Sequence, residues 1–366
     1  MADSARAPLL HWTTVIPVLS VLMLPALWGR DLPILAVGLV TALLGGSVLA
    51  AVHHAEIVAH RVGEPYGSLV LAVAVTVIEV ALIVTLMFGG GGDAATLARD
   101  TVFAAVMITC NGIVGLSLLA GTLRSKVAAF HAEGAGGALA TVGTLATLCL
   151  VLPTFTLGTP GPQFSPLQLS FAAVTALALY GLFVAVQTGR HRDYFLPPAG
   201  KGAPLDEDAH APPPSVRVAM ISMGLLLVSL VAVVGTAKTV SPTIERGVVS
   251  AGMPLSVVGV VIALLILLPE TLAAVRAARR ARLQISLNLA YGSAMASIGL
   301  TIPTMAIVSP WLPVPLHLGL GNVHIVLLLL TIIVSVLTVV PGRATLLQAG
   351  VHLSILGAYL FLSVSP

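Results

Sequence analysis

Two glutamates stand where a carboxylate is hardest to keep. Glu79, in Thr76-Val77-Ile78-Glu79-Val80, and Glu270, in Leu267-Leu268-Pro269-Glu270-Thr271, each follow ten or more residues without a charge. Neither hydrocarbon run contains a Lys or Arg to neutralise them. A carboxylate so placed must be protonated, hydrated or bound to a cation, and ionisable groups inside apolar spans mark function by default. The other twelve of the fourteen acids read as helix-end or loop residues. The chemistry this points to is binding of a cation, a proton, or each in turn.

The neighbours suit that chemistry. Ser68, Ala72, Thr76 and Glu79 fall on one face of a helix, and Ser293, Ser297 and Thr301 fall on one face of another. Small and hydroxyl residues let helices approach closely and offer oxygen atoms, which hard cations prefer. Pro269 has no N–H and crowds the carbonyl four residues back. It is therefore expected to bend its helix beside Glu270 and free the Leu265 carbonyl as a ligand.

The elements that must carry these residues are membrane helices. Of 366 residues, 57% are hydrophobic and only 8% charged, against about 25% charged in soluble domains. Such a chain cannot clothe a water-soluble core, which excludes a soluble enzyme or a secreted scaffold. The net charge of +3 is too small and scattered for nucleic-acid binding. Eleven apolar runs are long enough to span a bilayer, near 11–28, 33–52, 67–88, 101–120, 137–157, 167–187, 216–236, 254–275, 285–308, 322–340 and 343–364. The fold class is thus an all-α polytopic membrane protein of about eleven helices. Cys110 and Cys149 lie inside apolar runs, as small hydrophobic packers rather than disulfide or metal partners.

Setting helix 1 (residues 1–30) aside leaves two sets of five, 31–188 and 216–366. They are joined by a polar, Pro-rich linker at 189–215 that carries Asp206-Glu207-Asp208. Glu79 and Glu270 each fall in the second helix of their set. A five-helix unit used twice in succession must insert upside down the second time. That brings the two carboxylates together near the midplane, as in the inverted repeats of secondary transporters. Lys and Arg in the connections divide 13 to 4 between the two sides, placing the N-terminus in the cytoplasm and the C-terminus outside.

Gly63-Glu64-Pro65-Tyr66-Gly67-Ser68-Leu69, followed by Glu79, resembles the first repeat motif of cation/proton antiporters in the calcium/cation exchanger superfamily. Glu270-Thr271-Leu272-Ala273-Ala274-Val275, with Leu283, Ser286-Leu287 and Gly292-Ser293-Ala294, resembles the second. The likeness is to bacterial ChaA-type antiporters and covers nearly the whole chain. It implies a transporter of the bacterial inner membrane that exchanges Ca²⁺, or in some members Na⁺ or K⁺, for H⁺ through Glu79 and Glu270. Thr76, Ser293 and Ser297 stand beside them, and Glu64, Asn111, His60 and the Leu265 carbonyl are accessory candidates. Calcium-selective relatives carry Gly-Asn shortly before each glutamate, where this chain has Val75-Thr76 and Ile266-Leu267. One amide has become a hydroxyl and the other is lost, which makes a monovalent-selective Na⁺ or K⁺ antiporter the alternative to Ca²⁺, the first expectation.

Two carboxylates carry two negative charges, so one Ca²⁺ or two H⁺ neutralise them equally. Repulsion between neighbouring carboxylates favours protonation and sets ion against proton. Two protons moving down one pH unit, at about 1.36 kcal/mol each, would support roughly a hundredfold Ca²⁺ gradient. An empty, doubly charged site should resist crossing the membrane, which would suppress leak. No cofactor is expected beyond the transported ions. Expected partners are membrane lipid and a second copy in a homo-oligomer.

His53-His54-x-Glu56-x-x-x-His60-Arg61 suits a pH sensor, an ion access site or an interfacial turn. Asn111, Gly112, Gly115 and Ser117 suit either a counterpart of the Ser293 face or helix packing. The acidic linker with His210 reads as solvated, and His317, His324 and His352 have no assignment. An intramembrane enzyme is the remote alternative, since the chain has neither a phosphate loop nor a His-Glu-x-x-His pattern.

Overall fold

A computed structural model describes residues 11–30, 32–63, 66–88, 94–197, 213–254 and 256–365, and the fold is given over these. Glu64, Asp206, Glu207, Asp208 and His210 lie outside the described residues, as do the side chains of Ser68 and Ala72.

The chain is almost wholly helical. In order the helices are α1 (Trp12–Leu27), α2 (Ile34–Val62), α3 (Tyr66–Phe88), α4 (Leu97–Arg124), α5 (Ala132–Phe155) and α6 (Pro166–Arg190). They continue with α7 (Val216–Ser250), α8 (Ser256–Arg279), α9 (Leu283–Trp311), α10 (Asn322–Val339) and α11 (Leu346–Val364). Among the described residues nine are long and apolar enough to cross a membrane, with two shorter apolar helices at Trp12–Leu27 and Val73–Phe88. Leu35, Leu167, Phe171, Leu337 and Leu347 are all exposed on these helices. That surface suits lipid, where a helix satisfies its own backbone. The protein is a multi-pass membrane protein.

Several helices outrun their apolar stretches. α2 continues past residue 52 through His53–Arg61 and stops at Gly63, whose φ of +79° favours glycine. α7 continues past residue 236 to Ser250, with Lys238 and Pro242 inside it. Polar residues at a helix end are tolerated where another element meets them. The Lys238 ammonium lies 5.1 Å from the centre of the Trp28 ring, and His54 Nε2 donates to the Thr13 carbonyl at 3.1 Å. α8 runs unbroken through Pro269.

Two compact units emerge, and each draws helices from both halves of the sequence. The first comprises α1–α3 and α7, the second α4–α6 and α8–α11. In the first, α1 packs against α2 and α7. A Cβ on Gly46 would meet Ile16 at 2.9 Å, so the missing side chain sets that approach. The Ser20 and Ser47 hydroxyls meet at 3.2 Å across the same contact. α3 packs on α2 and α7.

In the second unit α8 packs between α4 and α9, and α11 lies against α4. The Arg124 guanidinium donates to the Arg279 carbonyl at 2.7 Å, capping the last turn of α8. The Ser286 hydroxyl ties α9 back to the Ala274 carbonyl at 2.6 Å. Two short strands, β1 (Ala128–Ala129) and β2 (Arg343–Ala344), pair antiparallel and join the segments after α4 and before α11. Capping boxes at Ser165/Gln168 and Thr345/Gln348 start α6 and α11.

Candidate functional site

Glu79 sits near the middle of α3 and is buried, with Thr76 buried one turn before it. Val75, Ile78, Leu82, Ile83 and Met87 are buried with them, while Val73 and Val77 are exposed. The helix thus turns its carboxylate and hydroxyl inward and Val73 and Val77 outward. Tyr66–Phe88 contains no Lys or Arg.

Glu270 sits near the middle of α8 and is buried on a face with Ala263, Ile266, Leu267 and Ala274. The cations of this helix, Arg276 and Arg279, are confined to its last turn. Pro269 precedes the glutamate directly. Having no N–H, it leaves the half-buried Leu265 without its helical donor. One residue on, the Thr271 hydroxyl donates to the Leu267 carbonyl at 2.7 Å.

α8 meets α9 and a six-residue π-helical turn, Ile108–Ile113, inside α4. Such turns interrupt the regular ladder and recur at functional sites. Asn111 lies in this turn with no solvent exposure. Ser297 and Thr301 of α9 are buried, whereas Ser293 is partly exposed. The second unit therefore gathers Glu270, Asn111 and Ser297 on three mutually packed elements. Thr76 and Glu79 belong to the first unit.

Asn111 is held by both ends of its amide. Nδ2 donates to the Thr331 hydroxyl of α10 at 2.9 Å, and Oδ1 accepts from His352 Nδ1 of α11 at 3.2 Å. The other ring nitrogen, Nε2, accepts from the Thr338 hydroxyl at 3.1 Å. A Cβ on Gly112 would lie 3.1 Å from Leu356, and one on Gly115 would lie 2.9 Å from Leu353. These two glycines serve the close packing of α4 against α11.

The His53–Arg61 segment divides. His54 is buried and bonded to α1, and His53 stacks on the His11 ring at 5.9 Å. Glu56 and His60 are exposed. Cys110 and Cys149 are buried free thiols. Among the described residues no three His, Cys, Asp or Glu side chains converge to hold a metal ion. Sequence reasoning missed the burial of Asp100 and the place of His352. A histidine in mid-span was the available signal for His352, while Asp100 looked like any helix-end acid.

The chain matches the family described as "Sodium/calcium exchanger protein" over residues 32–189 and 221–365. It is 44% identical over 369 residues to the y4hA protein of Sinorhizobium fredii, which carries the name of an ionic transporter, covering 99% of this chain and 98% of that one. It is 34% identical over 351 residues to the sodium-potassium/proton antiporter ChaA of Escherichia coli, covering 94% of each. Its fold superposes on the crystal structure of the H⁺/Ca²⁺ exchanger CAX with a TM-score of 0.67, at 17% identity, over 96% of this chain and 91% of that one.

Proposed function

The chain belongs to the sodium/calcium exchanger protein family of membrane cation exchangers, and from that premise we propose that it exchanges a monovalent cation, Na⁺ or K⁺, for protons. The observation that carries the reading is a pair of glutamates, Glu79 and Glu270, each buried near the middle of an apolar helix that offers it no Lys or Arg along the span. Each carboxylate takes a cation or a proton in turn, with Thr76, Ser297, Ser293 and the Leu265 carbonyl supplying neutral oxygens. Exchange proceeds by alternating access between two inverted five-helix repeats, in an inner membrane with the N-terminus in the cytoplasm.

Two observations favour a monovalent ion. Thr76 and Leu267 occupy the positions where calcium-selective relatives carry an amide, so the neutral ligand set is thin. The Escherichia coli relative also bears the name of a sodium-potassium/proton antiporter. Ca²⁺ is the second reading, favoured by charge, because two carboxylates neutralise one divalent ion. The transporter names of the relatives point away from an enzyme.

The test uses purified protein in liposomes with a pH-sensitive dye inside and an imposed pH gradient. Addition of Na⁺ or K⁺ should move protons, and Glu79→Gln and Glu270→Gln should each abolish the response. A response to Ca²⁺ alone would select the second reading. No response to any of the three ions from folded, inserted protein would refute exchange.

A further inference from the structure

Asp100 stands in the first turn of α4, where a carboxylate suits the helix dipole and ordinarily faces water. Here it is only 7% exposed. One carboxylate oxygen accepts from Arg99 Nε at 2.7 Å and the other from the Thr96 hydroxyl at 2.8 Å. Arg99 also reaches away from Asp100, donating from Nη1 to the Gly319 carbonyl at 3.2 Å. The chain around Gly319 is itself pinned, since the His317 N–H donates to the Ala95 carbonyl at 2.9 Å. The rings of His324 and Tyr359 pack on Phe103, with centroids 4.9 and 5.5 Å away. Both lie within electrostatic reach of Asp100.

The next residue, Thr101, is fully buried and its hydroxyl has no hydrogen-bond partner. A helical threonine ordinarily bonds the carbonyl four residues back. Thr101 Oγ1 and Asp100 Cβ each lie 3.4 Å from the point where a Cβ on Gly259 of α8 would stand. The Thr101 hydroxyl and the stem of Asp100 therefore face bare helix backbone. Gly259 shares one face of α8 with Ala263, Ile266 and Glu270, all of them buried. Three turns separate Gly259 from Glu270, about 16 Å at 1.5 Å per residue.

We propose that Asp100 and Thr101 form a second cation site, three turns from Glu270 along the same face of α8, at the end of the second unit where α4 begins. The inference rests on the exchanger reading. The Asp100 carboxylate with the Thr96 and Thr101 hydroxyls is an oxygen-only set of the kind Na⁺, K⁺ and Ca²⁺ accept. In this structure the Arg99 guanidinium fills the cation's electrostatic place. An arriving ion displaces it from Asp100, and the Gly319 carbonyl retains it. The ion then lies at the head of the face that leads to Glu270.

The test is sided transport. Oriented proteoliposomes receive Na⁺, K⁺ or Ca²⁺ at one face at a time, and the half-saturating concentration is read from proton movement. Asp100→Asn should raise that concentration about tenfold at the face where α4 begins and leave the opposite face unchanged. Thr101→Val should raise it at the same face, and Arg99→Gln should lower it there. Opposite signs for Arg99 and Asp100 would not arise from losing a structural ion pair. Equal effects at both faces, or Arg99→Gln acting in the same direction as Asp100→Asn, would overturn the proposal. If Asp100→Asn fails to insert, Thr101→Val and Arg99→Gln decide it alone. A wild type that exchanges none of the three ions would overturn the exchanger reading as well. An active wild type with Asp100→Asn unchanged at both faces would overturn this site only.

Discussion

His352 of α11 donates from Nδ1 to the side-chain oxygen of Asn111, which lies 241 residues earlier in the π-helical turn of α4. Both residues have no solvent exposure, and both are satisfied at their other ends, Asn111 by Thr331 and His352 by Thr338. A fully paired polar network in a buried setting rigidifies and specifies its surroundings. Here it fastens α10 and α11 to the interrupted middle of α4.

That network makes a stability prediction. Asn111→Ala leaves Thr331 and His352 short of a partner, at a cost of about 1–3 kcal/mol. Combined with His352→Ala in a double-mutant cycle, the pair should show a coupling of about 1 kcal/mol. Thermal unfolding in detergent measures both. Strict additivity would mean that the contact carries no energy of its own.

Pro269 separates stability from transport. A proline inside a helix costs about 3 kcal/mol through the lost N–H and the clash one turn back. Pro269→Ala should therefore raise the unfolding temperature while returning a donor to the Leu265 carbonyl. If that carbonyl is a ligand, the half-saturating cation concentration should rise about tenfold. A stabilised variant with wild-type exchange would remove Leu265 from the site.

Gly319 is a third test. A Cβ there would stand 2.5 Å from the Thr154 hydroxyl and 2.7 Å from the Thr154 backbone nitrogen, and backbone cannot rotate away. Gly319→Ala should destabilise the protein by about 1–3 kcal/mol through overpacking. Gly181 of α6, whose added Cβ meets nothing within 4 Å, provides the contrast. Gly181→Ala should be neutral or slightly stabilising, since alanine is the better helix former. Equal melting temperatures for the two variants would contradict the packing around Gly319.

The helices were legible because hydropathy and length report lipid contact directly. Their ends were not, because a polar helix end is stabilised by what it meets rather than by its own composition. α2 runs on through His54 where α1 offers the Thr13 carbonyl, and α7 runs past Lys238 where Trp28 offers a ring face. Glu79 and Glu270 stood out as charges without local company. Asp100 did not, since burial of a first-turn acid depends on the glycine it faces in another helix. Asn111, Gly112 and Gly115 could be read as ligands or as packing. The two glycines now pack against α11, and the Asn111 amide is engaged there too. The π-helical turn left no mark in the sequence, and neither did the pairing of Asn111 with His352.

The central claim is that cation and proton compete for the same carboxylates. It is tested most directly by the half-saturating Na⁺ or K⁺ concentration as a function of pH, in proteoliposomes under a constant pH difference. Competition predicts that lowering pH weakens the cation by about tenfold per unit for each proton displaced, with the maximal rate approached at saturating cation. Half-saturation that stays flat while the maximal rate falls would contradict it, because protons would then act at a place the cation does not occupy.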